Sequence, residues 1–267
     1  MTVRAHTFRW PADLPAWAAV RHRTGCLARW LGLPGAGRTP DCLSIRYWPR
    51  PDPTLRSALP WRTPVLLVHG YAGTEHMWQP LRLALAAAGF DHVIALRYNT
   101  FRADIRSVAD WLVDQADRTM GACGTRGVHL VGHSMGGLVV RAAVQSGGLG
   151  DRAKTVVTLA TPHRGTPFAR FVPGPGARQM SPGSAFLDEL AADTHLGATR
   201  WVDIEAAVDR VVPAGADRPS VGTVRVPAGH RSITRHPGAV ARIVDELAGV
   251  ENRLALRMAA REFSLAA

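Results

Sequence analysis

Cysteine is scarce in this chain of 267 residues, which has only Cys26, Cys42 and Cys123. Three widely spaced thiols are too few for a disulfide framework and lack the spacing of a metal site. Apolar runs are short as well, and none approaches the ~20 residues needed to cross a bilayer. Residues 1–9 are polar and contain no apolar segment of the kind that signal peptides have. These absences predict a soluble, cytoplasmic protein.

Lysine is also nearly absent. Lys154 is the only one, so the net charge of +11 comes almost wholly from arginine. Strongly basic chains often bind nucleic acid or acidic surfaces. The arginines here are scattered and form no block of five or six, so we interpret the excess as the codon bias of a GC-rich genome. We expect no nucleic-acid partner, whereas the charge is compatible with weak attraction to anionic membranes.

Residues 1–42 are predicted to form an N-terminal helical extension. Their apolar residues fall roughly on one helical face with arginines around them: Leu14, Trp17, Val20, Leu27, Trp30 and Leu31. Such a helix either packs on the core or lies as a basic amphipathic helix on a membrane, which would give weak peripheral contact. At the other end, residues 251–267 have the pattern of a helical tail that carries arginines.

Residues 43–250 alternate between short apolar runs and amphipathic segments. After a strand-like stretch at 43–47, further strands are predicted at 65–68, 93–96, 128–131, 155–159, 201–205 and 221–226. Helices are predicted near residues 78–88, 105–116, 138–145 and 240–247. This alternation indicates an α/β domain with a mostly parallel, doubly wound sheet and helices on both faces. Active sites in such sheets lie beyond the carboxyl ends of the strands.

The motif Gly132–Gly137, with the sequence GHSMGG, lies between a predicted strand and a predicted helix. A serine in a G-x-S-x-G turn of this kind is held on a sharp, strained bend that exposes its hydroxyl above the end of the sheet. Glycine is needed on both sides because the helix packs tightly against the strand. The pattern predicts that Ser134 is a nucleophile.

A serine hydroxyl needs a histidine base at neutral pH, and the base needs a carboxylate that fixes its tautomer. We expect the histidine late in the chain, after the last strand. His230 is in that position, in a loop that precedes the final helix. The alternatives are His236, which lies beside Pro237 at the start of a helix, and the earlier His195 and His163.

The carboxylate is expected between the serine and the histidine in chain order. Asp209 follows the strand at 201–206 and is the predicted acid. Asp203 and Glu205 lie inside that strand, too deep or pointing away, and Asp217 lies further along the loop.

The oxyanion of an acyl-transfer reaction needs N–H donors. One donor is expected from the residue after the nucleophile, Met135, and the other from the loop after the first buried strand. That loop begins His69-Gly70-Tyr71, so the predicted donors are the backbone amides of Met135 and Tyr71. The alternative is that His69-Gly70 only turns the chain.

Together these motifs resemble the α/β-hydrolase superfamily, and within it bacterial triacylglycerol lipases and related esterases. The resemblance extends over residues 64–248 and includes the stretch 160–166, with the sequence ATPHRGT. It implies an α/β-hydrolase fold in which residues 165–195 form a short lid-like insertion. It also implies that His163 shapes the floor of the site. Phe168, Met180 and Phe186 are expected to contact an acyl chain, unless they only cover the sheet.

The predicted activity is therefore hydrolysis of small-molecule carboxylic esters through Ser134, Asp209 and His230, with an acyl-enzyme intermediate and neither cofactor nor metal. Thioesterase, amidase and acyltransferase activities use the same residues, because fold and triad do not determine the substrate. A third interpretation is a hydrolase fold kept as a non-catalytic binding protein. The short insertion favours an esterase acting on soluble or membrane-derived acyl esters.

Overall fold

The computed structural model describes residues 61–102, 104–193, 198–213 and 222–266. The predicted helix at 1–42 and the predicted strand at 43–47 lie outside these ranges. The described strands are β1 Val65–Val68, β2 Val93–Ala95, β3 Val128–His133, β4 Ala153–Leu159, β5 Arg200–Ala206 and β6 Thr223–Val226. The described helices are α1 Gln79–Ala87, α2 Ile105–Cys123, α3 Met135–Gln145, α4 Pro175–Gln179, α5 Ala185–Ala192 and α6 Pro237–Ala266.

The six strands form one sheet in the order β2-β1-β3-β4-β5-β6, and every neighbouring pair is parallel. The register pairs Val68 of β1 with Gly132 of β3, and His133 with Leu159 of β4. Because the strands are parallel, all their carboxyl ends meet at one edge, which we call the carboxyl edge. The loops that follow β1, β3, β5 and β6 therefore converge there. The parallel α/β sheet predicted from the sequence is confirmed.

Helices cover both faces of the sheet, and the alternation of side chains along each strand decides which helix each residue meets. Leu66 and Leu130 belong to a cluster with residues of α2 and α3. Val65 and Val131, on the opposite face, belong to a cluster with residues of α1 and α6. All four residues of β1 are fully buried. A strand buried on both faces explains why β1 has a continuous apolar run rather than an alternating pattern.

Helix α2 shows how the local sequence sets its ends. The Asp104 side chain accepts a hydrogen bond from the Ser107 amide at the N-terminus, and Gly124 adopts a left-handed conformation with φ 64° at the C-terminus. Such capping satisfies backbone groups that have no partner inside the helix. The last helix, α6, continues through the predicted tail to Ala266. No helix in the described ranges is long and apolar enough to span a bilayer.

A buried polar cluster lies at the amino ends of β3 and β4, opposite the carboxyl edge. His129 Nε2 is 3.1 Å from Glu251 Oε1, and Lys154 Nζ is 3.1 Å from the same oxygen and 2.6 Å from Thr63 Oγ1. Burial alone would raise the pKa of Glu251, but the His129 hydrogen bond and the Lys154 charge outweigh it and lower the pKa to about 2. The cluster ties α6 to the sheet at this edge.

Candidate active site

Ser134 is the single residue between the end of β3 and the start of α3. Its backbone has φ 53° and ψ −123°, a conformation that non-glycine residues rarely adopt. The Ser134 amide donates to the Leu159 carbonyl at 2.9 Å, so the neighbouring strand holds the turn in place. Strain of this kind costs about 1–3 kcal/mol and is kept where the surrounding structure enforces it. The predicted strand–turn–helix context of Ser134 is present in the structure.

The two motif glycines that flank Ser134 are required by close backbone contacts. A Cβ atom on Gly132 would lie 2.6 Å from the Gly136 carbonyl oxygen. A Cβ atom on Gly136 would collide with the Val68 carbonyl oxygen. Strand β1 and helix α3 therefore approach each other too closely for any larger residue, and the close approach keeps Ser134 at the top of the sheet.

His230 lies in the loop after β6, with its ring between Ser134 and Asp209. His230 Nε2 is 3.0 Å from Ser134 Oγ, and His230 Nδ1 is 2.8 Å from Asp209 Oδ2. The arrangement suits the tautomer in which Nδ1–H donates to Asp209 and Nε2 accepts from the Ser134 hydroxyl. The structure thus brings together the three residues that the sequence nominated as nucleophile, base and acid.

Asp209 is held by its own loop. Its Oδ1 atom accepts hydrogen bonds from the amides of Val211 at 2.8 Å and Val212 at 2.9 Å, which leaves Oδ2 for His230. Burial would raise the pKa of Asp209, but the His230 hydrogen bond and the two amides outweigh it, so the pKa is lowered. The carboxylate is therefore ionised and fixed in orientation.

The alternative acids lie elsewhere. Asp203 is buried inside β5, where it accepts a hydrogen bond from Thr158 Oγ1 and lies 3.5 Å from His163 Nε2. Glu205 pairs with Arg225 at 2.7 Å on the surface of the sheet. Asp217 lies outside the described residues. Of the described candidates, only Asp209 is placed against His230.

The two alternative bases that the structure describes, His163 and His236, also lie elsewhere in the hydrogen-bond network. His163 forms its contacts with Thr158 and Asp203, and His236 directly precedes α6. His195 lies outside the described residues. His163 is buried in the loop after β4, and its predicted position at the floor of the site stays a prediction.

The loop after β1 lies directly against Ser134. A Cβ atom on Gly70 would be 2.8 Å from Ser134 Cβ. The loop is held by the ring of Tyr98, which stacks on His69 with centroids 4.4 Å apart and donates its hydroxyl to the His69 carbonyl at 2.5 Å. Burial raises the pKa of Tyr98, which keeps this hydroxyl protonated as a donor. Gly70, which precedes the predicted oxyanion donor Tyr71, therefore lies against Ser134, and the other predicted donor, Met135, directly follows Ser134 in the chain.

His133, which did not stand out in the sequence, directly precedes Ser134 and contacts the loop that carries His230. Its Nε2–H donates to the backbone carbonyl of His230 at 2.8 Å, and the two rings lie 5.0 Å apart. Burial, followed by the nearby His230, lowers the pKa of His133 to about 3, so its ring is neutral. The available signal was a histidine at the end of a fully buried strand, directly before the motif serine.

The residues predicted to contact an acyl chain divide into two groups. Phe168 is exposed, in the short 3-10 helix Pro167–Phe171. Met180 and Phe186 are buried in the cluster that packs on α2 and α3. The segment 165–195 thus holds short helices, with part of its apolar surface directed into the core. Its function as a lid stays a prediction.

The sequence matches the model of the alpha/beta hydrolase family over residues 65–216. Triacylglycerol lipases of Pseudarthrobacter phenanthrenivorans and Burkholderia plantarii are each 35% identical to this chain over 121 residues, which is 42% of this chain. Those residues are 36% and 32% of the two lipases, so the match spans about a third of their length.

The fold is similar to that of solved lipase structures. The mature lipase of Bacillus licheniformis superposes with a TM-score of 0.59 and 17% identity, covering 69% of this chain and 91% of that one. The monoacylglycerol lipase of Paleococcus ferrophilus gives a TM-score of 0.55 and 16% identity, covering 70% and 96%. The parallel sheet, the strand–serine–helix turn and the family match over more than half of the sequence agree, and the chain belongs to the α/β hydrolase family.

Proposed function

We propose that the protein is a serine hydrolase that cleaves carboxylic esters. The observation that carries the proposal is the continuous chain of contacts Ser134 Oγ–His230 Nε2–Asp209, at 3.0 and 2.8 Å. These distances lie within the range that proton transfer from a serine to a histidine base requires. The similarity to triacylglycerol lipases supports an ester as the substrate.

In the first half-reaction, Ser134 Oγ forms a bond to the acyl carbon while its proton passes to His230 Nε2. The negative charge on the tetrahedral intermediate is stabilised by the amides of Met135 and Tyr71. The intermediate collapses when the carbon–oxygen bond to the alcohol breaks, and His230 returns the proton to the leaving oxygen. Asp209 accepts from His230 Nδ1–H throughout and stabilises the positive imidazolium.

In the second half-reaction, water takes the place of the alcohol. His230 removes a proton from the water, whose oxygen attacks the acyl carbon, and the same two amides stabilise the second oxyanion. Collapse of this intermediate breaks the bond to Ser134 Oγ and releases the carboxylic acid, while His230 returns the proton to the serine. All of these steps use groups supplied by the chain itself.

The acyl side of the substrate is expected to meet the segment 165–195. Phe168 is the suitable probe there, because its ring is exposed, whereas Phe186 is buried and its removal would mainly leave a cavity. Phe168→Ala should change the ratio of kcat/KM for long-chain and short-chain esters. An unchanged ratio would mean that the segment only covers the sheet.

Two measurements test the proposal. A fluorophosphonate probe should modify Ser134 alone, and Ser134→Ala should abolish labelling while circular dichroism shows an unchanged fold. Hydrolysis of p-nitrophenyl esters of several acyl lengths should then be compared with that of a matched thioester and amide. Labelling at another serine, or none, would contradict the catalytic assignment, and a preference for the thioester or amide would replace the ester assignment.

A further inference from the structure

Exposed large apolar side chains are concentrated at the carboxyl edge of the sheet. In the ranges that the structure describes there are five: Ile94, Phe101, Phe168, Phe171 and Val208. Ile94 belongs to β2, whereas the other four lie in loops that follow β2, β4 and β5. Phe171 is 68% exposed and Phe101 is 54% exposed. Large exposed apolar groups gathered on one surface are typical of an interaction site.

Contacts join these loops to one another and to the proposed oxyanion loop. The Tyr71 ring packs edge-on against Phe101, with centroids 5.3 Å apart, and the Tyr71 hydroxyl donates to the Pro173 carbonyl at 2.7 Å. The rings of Phe168 and Phe171 are 6.4 Å apart. Since Tyr71 directly follows Gly70, which lies against Ser134, and also contacts both loops, the exposed phenylalanines belong to loops that meet the loop beside the serine.

The same loops carry an excess of positive charge. Within the described residues, the loops at the carboxyl edge (69–78, 96–104, 160–184, 207–213 and 227–236) contain eight arginines, all exposed. They contain only three carboxylates, one of which is Asp209. The segment 160–184 alone has three arginines and no carboxylate. The described loops at the opposite edge have three arginines and three carboxylates, so among the described loops the excess of positive charge lies at the carboxyl edge.

Arginines and exposed phenylalanines are interleaved in these loops. Arg170 lies between Phe168 and Phe171 in the sequence, and its guanidinium is 4.6 Å from the centre of the Phe171 ring. Arg102 directly follows Phe101. An anionic lipid surface offers phosphates to the arginines at the level where an aromatic ring enters the acyl boundary. A soluble anionic ligand would leave the phenylalanines in water.

We propose that this surface, formed by Phe101, Arg102, Phe168, Arg170 and Phe171 and called here the arginine–aromatic rim, docks on an anionic phospholipid bilayer. Docking places the loops that meet the loop beside Ser134 against the membrane. The rim is distinct from the helix predicted at residues 1–42, which lies outside the described residues. That the docked protein hydrolyses lipid esters rests on the proposed function, whereas docking itself does not.

The test uses the full chain with Ser134→Ala, so that binding is measured without hydrolysis. Co-sedimentation is measured with vesicles of phosphatidylcholine alone and of phosphatidylcholine mixed with phosphatidylglycerol. Binding to the anionic vesicles should exceed binding to the neutral ones and should weaken at high salt, where surface charges are screened. Added to Ser134→Ala, Arg170→Glu and Phe171→Ala should each lower the anionic partition coefficient about ten-fold.

Matched controls lie away from the rim. Arg126→Glu changes an exposed arginine at the opposite edge, and Ile94→Ala removes the exposed apolar side chain of β2. Both should bind anionic vesicles like the Ser134→Ala parent. Absence of anionic binding, or equal losses in rim and control variants, would overturn the proposal.

Two further outcomes would also overturn the proposal. Retained binding in the rim variants would assign membrane contact to another segment, such as residues 1–42. Self-association in sedimentation equilibrium that Phe171→Ala abolishes would assign the rim to a second copy of the chain. Hydrolysis of soluble esters by the wild type tests the proposed function separately.

Discussion

The two ends of β3 each have a buried histidine, and the groups around each histidine determine its structural role. His129, at the amino end, is 3.1 Å from the Glu251 carboxylate. His133, at the carboxyl end, donates instead to a backbone carbonyl, that of His230. Burial is the largest cause of a lowered pKa in both. His129 thus joins α6 to the sheet, whereas His133 joins Ser134 to its proposed base.

The backbone around the two histidines differs as well. His129 lies within the strand pairing, opposite Val65 and Thr155, directly after a shift of the β3–β4 register between Val128 and His129. His133 is followed by the strained Ser134 and faces Gly70, where a Cβ atom would lie 3.1 Å from His133 Nδ1. The amino end of β3 therefore contributes to stability. The carboxyl end holds Ser134 in a strained conformation, which lowers stability. The following predictions separate these contributions.

The largest expected effect is at the carboxyl edge, where Asp209→Asn should lower kcat by up to about 10⁴-fold, because an amide imposes the wrong His230 tautomer. Asp203→Asn should change kcat little, although it removes a buried carboxylate charge that lies 3.5 Å from His163 Nε2 and beside the Thr158 hydroxyl, and it should cost stability. Steady-state kinetics, with circular dichroism as the folding check, compares the two variants. An inactive Asp203→Asn beside an active Asp209→Asn would reverse the assignment of the acid.

The same kinetics can test whether the site acts as a unit. His230→Ala should lower kcat on the order of 10⁴-fold or more, because Ser134 then lacks a base. The Asp209→Asn/His230→Ala double variant should be little worse than His230→Ala alone. Losses that multiply would show that Asp209 acts independently of His230, contrary to the 2.8 Å contact between them.

At the amino edge, the next largest effect is expected from Glu251→Gln. The substitution leaves Lys154 without its carboxylate in a partly buried site, and breaking a buried pair costs about 3 kcal/mol or more of unfolding free energy. Urea denaturation measures the loss. Glu189→Gln, which breaks the exposed pair with Arg106, is the matched control and should cost less than about 1 kcal/mol. Equal losses would mean that the buried cluster contributes no more than a surface pair.

His133→Phe should lower kcat by about 10- to 100-fold and leave KM nearly unchanged. The phenyl ring fills the space but cannot donate to the His230 carbonyl, and a small displacement of the base is costly for proton transfer. His133→Gln keeps an N–H donor and should recover part of the loss. If both variants had wild-type kcat, the bond to the His230 backbone would have no positioning function.

Features whose signal lies in one short segment could be predicted from the sequence. The apolar run of β1, the periodic pattern of α2 and the GHSMGG turn are each contained in one short segment. Placing Asp209 and His230 near Ser134 required only strand order, because parallel strands bring their following loops to one edge. The cluster of His129, Glu251 and Lys154 joins residues about a hundred positions apart, and no periodicity records that contact.

The bond from His133 to the His230 carbonyl was missed for a related reason. Any residue can provide a backbone carbonyl acceptor, so this contact leaves no signature in the sequence. The two residues are also 97 positions apart. Asp203 was correctly placed inside its strand, yet its contacts with Thr158 and His163 depend on the pairing of β4 with β5. Pairing register and backbone partners are properties of the folded chain, so they became visible only in the structure.

The smallest expected effect concerns the pH dependence of stability, in which the two ends of β3 should behave alike. His129 and His133 both have pKa values lowered by burial, to about 3 for His133, whereas an unfolded histidine titrates near 6.5. As the pH falls below 6.5, the unfolded chain binds protons that the folded protein does not, so stability decreases. Each histidine contributes a slope of up to about 1.4 kcal/mol per pH unit.

Glu251 contributes in a different window. Its folded pKa of about 2 lies below the ordinary value of 4.5, so the stability it provides is complete above that value and is lost as the pH falls towards 2. Between pH 6.5 and 5 the slope therefore reports the histidines and not the carboxylate. Urea denaturation across this window should show a shallower slope for His129→Gln and for His133→Gln, by up to about one proton each. His92→Gln, at an exposed position, is the control. A slope that changes for only one of the two variants would show that the other histidine is protonated in the folded protein. The two buried histidines of β3 would then differ in charge.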